Sequence, residues 1–178
     1  MIYVVECDFS DPAREAEWNA FYDRVKLPAL LSVAGFQSSQ RFKRLGQGGP
    51  AYMAVHSIRA PAVLQGEAYR QKGGGDFAQW QSCICNWRRN LYAGLDVAPA
   101  IGQDEVLLIS ALGPQPLLDL GLSPTLLTAV ALDQAPARRW WATSKVLANG
   151  AESLPGDVQC YAPLTSWLTG SQATGRGD

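Results

Sequence analysis

A chain of 178 residues is the size of one domain or of a fused pair of small ones, and burying roughly 70% of its unfolded surface would give it a full hydrophobic core. With 47% hydrophobic and 17% charged residues and a formal net charge of −1, it lacks the basic stripe that nucleic-acid binding calls for. Glu6 and Asp8 interrupt the apolar run near the start, and no segment approaches the ~18 uninterrupted apolar residues of a membrane helix; a cytoplasmic protein without a membrane partner is expected.

The first segment, IYVVECDF, reads as a strand, and Ser10, Asp11 and Pro12 read as a helix start, a capping side chain before a proline whose fixed φ suits the first turn. Trp18, Phe21, Tyr22 and Val25 follow at i, i+3, i+4 and i+7, the buried face of one helix. Pro28 disfavours helical geometry at Leu27, which predicts an end near Lys26. After Gly35, FQSSQRFKR alternates as a strand does, with Phe36 and Phe42 on one face. LGQGGP is a glycine-rich hairpin connection, and AYMAVHSI is the next strand.

From Pro61, AVLQGEAYR predicts a helical turn or two leading into KGGGDFAQWQSCICNWRRN, residues 72–90. That stretch lacks the Gly-Lys-Ser/Thr ending of a phosphate loop, and Asp76 would set a negative charge where an anion would bind. Asp76, three residues before Gln79, instead predicts a cap for a helix whose buried stripe is Trp80, Cys83, Ile84, Trp87 and Leu91 and which ends at Gly94. LDVAPAI then reads as a short edge strand. Residues 1–101 thus follow the β-α-β-β-α-β order of a ferredoxin-like unit, an α+β fold.

Residues 102–170 open on the strand EVLLISAL and echo the first part. LPALLSVAGFQSSQRFKR (27–44) overlays SPTLLTAVALDQAPARRWWA (123–142), with Pro28 on Pro124, Leu30-Leu31 on Leu126-Leu127 and Arg41-Phe42 near Arg139-Trp140. GPQPLLDLGL is too short for a helix like the first, so the second repeat is partial, and 171–178 have the composition of a flexible tail. Cys7, Cys83, Cys85 and Cys160 show no CxxC spacing and read as free buried thiols.

The segment EWNAFYDRVKLPALLSVAGFQSSQRF resembles the motif of EthD-like proteins of the dimeric α/β-barrel superfamily: a helix ending Trp/Phe-Tyr-Asp-x-x-His-Leu-Pro, an LLxVPGF turn and a strand carrying Arg-Arg-Phe. EAYRQKGGGDFAQWQSCICNWRRNLYAGL resembles the second helix region of the same group. The resemblance implies two four-stranded sheets paired into a barrel, by homodimerisation or within one tandem chain, with helices outside and a small-molecule cavity beside the sheet. It also implies relatives that include cofactor-free monooxygenases, polyketide-modifying enzymes and haem-handling proteins. Lys26 stands at the family's histidine, so an acid-base role for that position does not carry over directly.

Candidate catalytic groups are Lys26, His56 and Arg41. Lys26 is either a solvated lysine at a helix C-terminus or a cation facing the cavity, with Asp23 one turn earlier as its partner. His56, the one histidine, shares a strand face with Tyr52, Ala54 and Ile58 and is either a core group or the one side chain titrating near neutrality. Arg41 alternates with Gln37 and Ser39 and reads as a ligand contact or a surface arginine. Trp18, Tyr22, Asp23, Asn86 and Trp87 are candidate ligand-binding residues, with Trp18 or Trp87 as cavity walls. One histidine without paired carboxylates leaves too few ligands for a metal, and no cofactor is expected. Three readings stand: a cofactor-independent enzyme acting on a small apolar or aromatic metabolite, of monooxygenase, dehydratase or decarboxylase type; a non-catalytic small-molecule-binding or barrel-forming protein; and a haem protein, for which His56 alone speaks.

Overall fold

The structure, a computed structural model, describes residues 1–73, 78–145 and 154–170. Eight antiparallel strands close into a ring: β1 (Ile2–Phe9), β2 (Phe36–Leu45), β3 (Tyr52–Ile58), β4 (Ile84–Ala93), β5 (Glu105–Ser110), β6 (Thr125–Leu132), β7 (Arg138–Lys145) and β8 (Val158–Pro163). Around the ring they run β3-β1-β4-β6-β7-β5-β8-β2, and β2 returns to pair with β3. The barrel therefore closes within one chain and, among the described residues, leaves no long edge strand. β1–β4 lie in the order β4-β1-β3-β2, β5–β8 in the order β8-β5-β7-β6, and the halves are joined by the β4–β6 and β8–β2 ladders. A two-residue β9 (Leu168–Thr169) adds to β2 at Ser38 and Ser39.

The two faces of β1 divide the core. Ile2 and Val4 point into the barrel with Phe42, Met53, Val55, Tyr92, Leu107 and Trp141, whereas Tyr3, Val5 and Cys7 point outward beneath the helices with Trp18, Leu27 and Leu30. Both faces are buried, so β1 reads as a continuous apolar run. Residues 95–101, expected as an edge strand, form none. They cross one barrel end, where Ala98 N donates to Ser57 Oγ at 2.9 Å and Ile101 N to Gln40 Oε1 at 3.1 Å.

The first helical layer runs past its expected end. α1 (Glu15–Phe21) continues through a π-helical turn, Tyr22–Lys26, into α2 (Leu27–Leu31), which contains Pro28. In an α-helix the Pro28 ring would meet the Arg24 carbonyl and leave it without a donor. The wider turn, closed by Leu27 N–H on Tyr22 O, accommodates the ring. It also moves the buried stripe by one residue. Val25, expected inside, is 48% exposed, and Lys26 is buried instead.

The largest correction concerns residues 76–94. Instead of a tryptophan-anchored helix, residues 78–83 form turns and β4 begins at Ile84; Asp76 lies outside the described residues, as does the tail 171–178. α3 (Glu67–Lys72) is the α-helix that precedes this region. β4 must bridge β1 and β6, and Asn90, Leu91 and Tyr92 are all buried, so no polar alternation marks the strand. Gly94 does take a left-handed φ of +123°, but it ends a strand. A second correction is Phe36, which packs outside while Phe42 packs inside. The register of β2 slips between Phe36 and Ser38, and a one-residue bulge exchanges the faces. Within the echo, Leu30-Leu31 are helical where Leu126-Leu127 lie in β6.

Candidate functional site

The helical layer meets the outer face of β1 and β4 around a small cavity of about 20 Å³, walled by Tyr3, Tyr22, Lys26, Tyr69, Trp87 and Arg89 among others. Each comes from a different constraint. Tyr3 sits on the outward face of β1, Tyr22 and Lys26 are turned inward by the π-helical turn, and Tyr69 is the buried residue of α3. Trp87 and Arg89 are alternate residues of β4. Sequence reasoning missed Tyr3 and Tyr69 as site residues, since each reads as one more aromatic on the buried face of its element.

Lys26 is 2% exposed and donates from Nζ to the Gly73 carbonyl at 2.5 Å. The phenols of Tyr3 and Tyr69 are 2.9 Å apart, and Arg89 lines the same cavity. Burial pushes the Tyr3 phenol well up, with Tyr69 adding to it; burial likewise pushes Tyr22 up. These phenols stay protonated beside the charges. The cavity thus presents cations and O–H donors at one point, an arrangement suited to an anionic oxygen.

His56 lies one layer away. It is fully buried, its Nδ1 is 2.7 Å from Ser39 Oγ, and its ring stacks on Tyr3 at 5.5 Å with the Phe36 edge at 5.6 Å. Burial, and after it the charge of Lys26, lowers its pKa to about 3, so the ring is neutral at physiological pH. Its Nε2 is buried without a hydrogen-bond partner. Axial ligation would need the in-plane lone pair of Nε2 to open on a porphyrin-sized space, but His56 is fully buried and the neighbouring cavity measures about 20 Å³, so the residues do not fit haem. Among the described residues no cluster of three metal-binding side chains exists.

Arg41 is buried but does not wall the cavity. Its guanidinium bonds Asp23 Oδ1 at 2.5 Å and Asn19 Oδ1 at 2.8 Å, and lies over the rings of Tyr22 at 4.1 Å and Trp18 at 5.0 Å. It clamps the helical layer to the sheet, and Asp23 partners Arg41 in that clamp. Trp18 is likewise core, stacked on Phe9 at 4.7 Å. Asn86 is exposed at a bulge of β4, with φ +51° and Nδ2 bonded to Asp8 Oδ2 at 2.7 Å. Trp87 is 38% exposed and lines both the small cavity and an open groove at the barrel end. Cys7, Cys83 and Cys160 are buried as expected, whereas Cys85 is exposed. Burial raises the Cys7 thiol to about 12, which leaves it inert.

A closed ring of eight antiparallel strands with short helices outside defines an α+β barrel protein. The same fold occurs in the crystal structure of an anthrone oxidase-like protein, with a TM-score of 0.59 at 12% identity over 99% of this chain and 96% of that one. It occurs also in a protein from Lactobacillus acidophilus NCFM described as a "putative monooxygenase", with a TM-score of 0.52 at 8% identity over 94% and 95%. At such identities the likeness is one of fold alone. No family model matches the sequence, and no curated protein does.

Proposed function

We propose that the chain is a diverged tandem relative of EthD-like proteins, built from ferredoxin-like repeats over 1–101 and 102–170, and that the cavity beneath α1 and α2 binds the acidic oxygen of a small aromatic or apolar metabolite. The repeat reading is supported by the matching strand orders of the two halves and by α4 (Gln115–Asp119), which follows β5 as α1 follows β1. The site reading rests on one observation: Lys26 and Arg89 share a largely enclosed cavity with three phenols. A cavity of about 20 Å³ admits a water-sized group, so the ligand's oxygen enters and its body lies outside against Trp87.

Two cations there lower the pKa of a bound phenol or enol and hold it as an electron-rich anion. That is the reactive form required for cofactor-independent oxidation, and the names of the two fold neighbours speak of an oxidase and a monooxygenase. A non-catalytic binding protein would use the same contacts. The test is titration with 2-naphthol, whose ionised form is read by absorbance. The bound naphthol is expected to ionise at least one pH unit lower than the free one, an effect lost in Arg89→Ala and Lys26→Met. An unshifted naphthol would sink the reading, and turnover with dioxygen separates enzyme from binder.

A further inference from the structure

At one end of the barrel interior the ladders gather charge. Glu6 points inward from β1, and Arg88, its direct cross-strand partner on β4, shares that face. Arg139 pairs with Leu127, and Arg44 with Tyr161; Leu127 and Tyr161 both belong to the interior core, so both arginines belong to the inner face too. Arg139 Nη2 bonds Glu6 Oε2 at 2.5 Å with 3% and 0% of the two side chains exposed. Arg44 is tied by Nε to the Gly46 carbonyl at 3.2 Å.

This layer is not satisfied by its own members. Arg139 Nη1 and Glu6 Oε1 are buried without a hydrogen-bond partner, a costly state for charged groups. The half-buried Arg88 makes no ion pair among the described residues. It lines an open groove of about 420 Å³ together with Asp8, Gly49, Pro50, Asn86 and Trp87, a size that holds a small metabolite. The β4 bulge opens the ladder at this point, as bulges do at barrel rims. Pro50 connects groove and interior, since its carbonyl accepts from Tyr161 Oη at 2.9 Å, and Tyr161 feels the charges of Glu6, Arg139, Arg44 and Arg88. The Asp8 carboxylate is occupied on both oxygens, by Ala51 N at 2.6 Å and Asn86 Nδ2 at 2.7 Å. Three guanidiniums thus face two carboxylates, both of which already hold donors.

We propose that this barrel mouth is a second binding site, separate from the cavity of Lys26, which takes the oxyanion of a small phosphorylated or carboxylated metabolite. Arg88 is its principal contact, and Arg44 and Arg139 supply the field.

Isothermal titration of the whole chain with inorganic phosphate at low ionic strength tests this. One saturable site is expected, weakened at least tenfold by Arg88→Ala, weakened less by Arg88→Lys, and unchanged by Lys26→Met. Melting curves of the Arg88 variants establish that they fold, and Arg88→Lys keeps the test alive if the alanine variant does not. Absence of saturable phosphate binding by the unaltered chain overturns the proposal, as does undiminished binding by a folded Arg88→Ala. Loss of binding in Lys26→Met with retention in Arg88→Ala also overturns it, by assigning the anion to the other cavity.

Discussion

Lys26 and His56 belong to different layers, the π-helical turn and strand β3, yet the charge of the lysine reaches the imidazole and adds to burial in holding it neutral. The pair explains how one chain buries a cation near a group that titrates close to neutrality in water. The histidine gives way, because charging it would add a second desolvated positive charge.

An acid-stability signature follows. The folded-state pKa of His56 is lowered to about 3, below the unfolded value of 6.5, so the unfolded chain binds the extra proton between those limits. The contribution is whole above pH 6.5 and is lost as pH falls toward 3, at up to about 1.4 kcal/mol per pH unit. Denaturant titrations across this window are expected to show a slope shallower by up to one proton in His56→Asn; an unchanged slope would contradict the assignment.

Removing the cation should be visible at the imidazole itself. His56 is the one histidine in the chain, so its ring resonances are unambiguous in NMR spectra. In Lys26→Met its pKa is expected to rise but to remain below 6.5, since burial is the larger cause. A pKa that does not move would mean that Lys26 carries no charge at the histidine.

The Glu6–Arg139 pair ties β1 to β7 across the barrel interior. Arg139→Met is expected to cost about 3–5 kcal/mol, because it strands a buried carboxylate, whereas the double variant Glu6→Leu, Arg139→Met recovers most of that loss. Equilibrium unfolding of the three chains measures both. Equal losses in the single and double variants would show that the pair itself is what stabilises the barrel.

Gly94 ends β4 where the halves meet. Its φ is +123°, and a Cβ there would overlap the Leu126 carbonyl oxygen of β6. Gly94→Ala is expected to cost about 1–3 kcal/mol of stability, from strain together with displacement of the β4–β6 ladder. Thermal melting checks it, and a neutral outcome would mean that β6 yields locally.

Several elements were legible without coordinates because local chemistry agreed with the fold. β1, β2, β3 and β5 are each carried by a run of apolar, aromatic or β-branched residues bounded by turn residues, and Lys26 stood out because a lysine occupies a position where the resembled family has histidine. β4 was misread, since ICNWRRNLYA shows no regular apolar–polar alternation, and Trp80, Cys83, Ile84, Trp87 and Leu91 happen to fall at helical spacing. What the sequence by itself determined was an α+β chain with a helix between its first two strands and a shortened second half. The tertiary structure alone decided that the barrel closes within the chain, that a π-helical turn exchanges Val25 for Lys26 on the buried face, and that Tyr3, Tyr69 and Arg89 meet there. The physical reason is that one extra residue in a turn or a strand reassigns the face of everything beyond it. Whether such a residue is tolerated depends on partners distant in the chain, which no local pattern records.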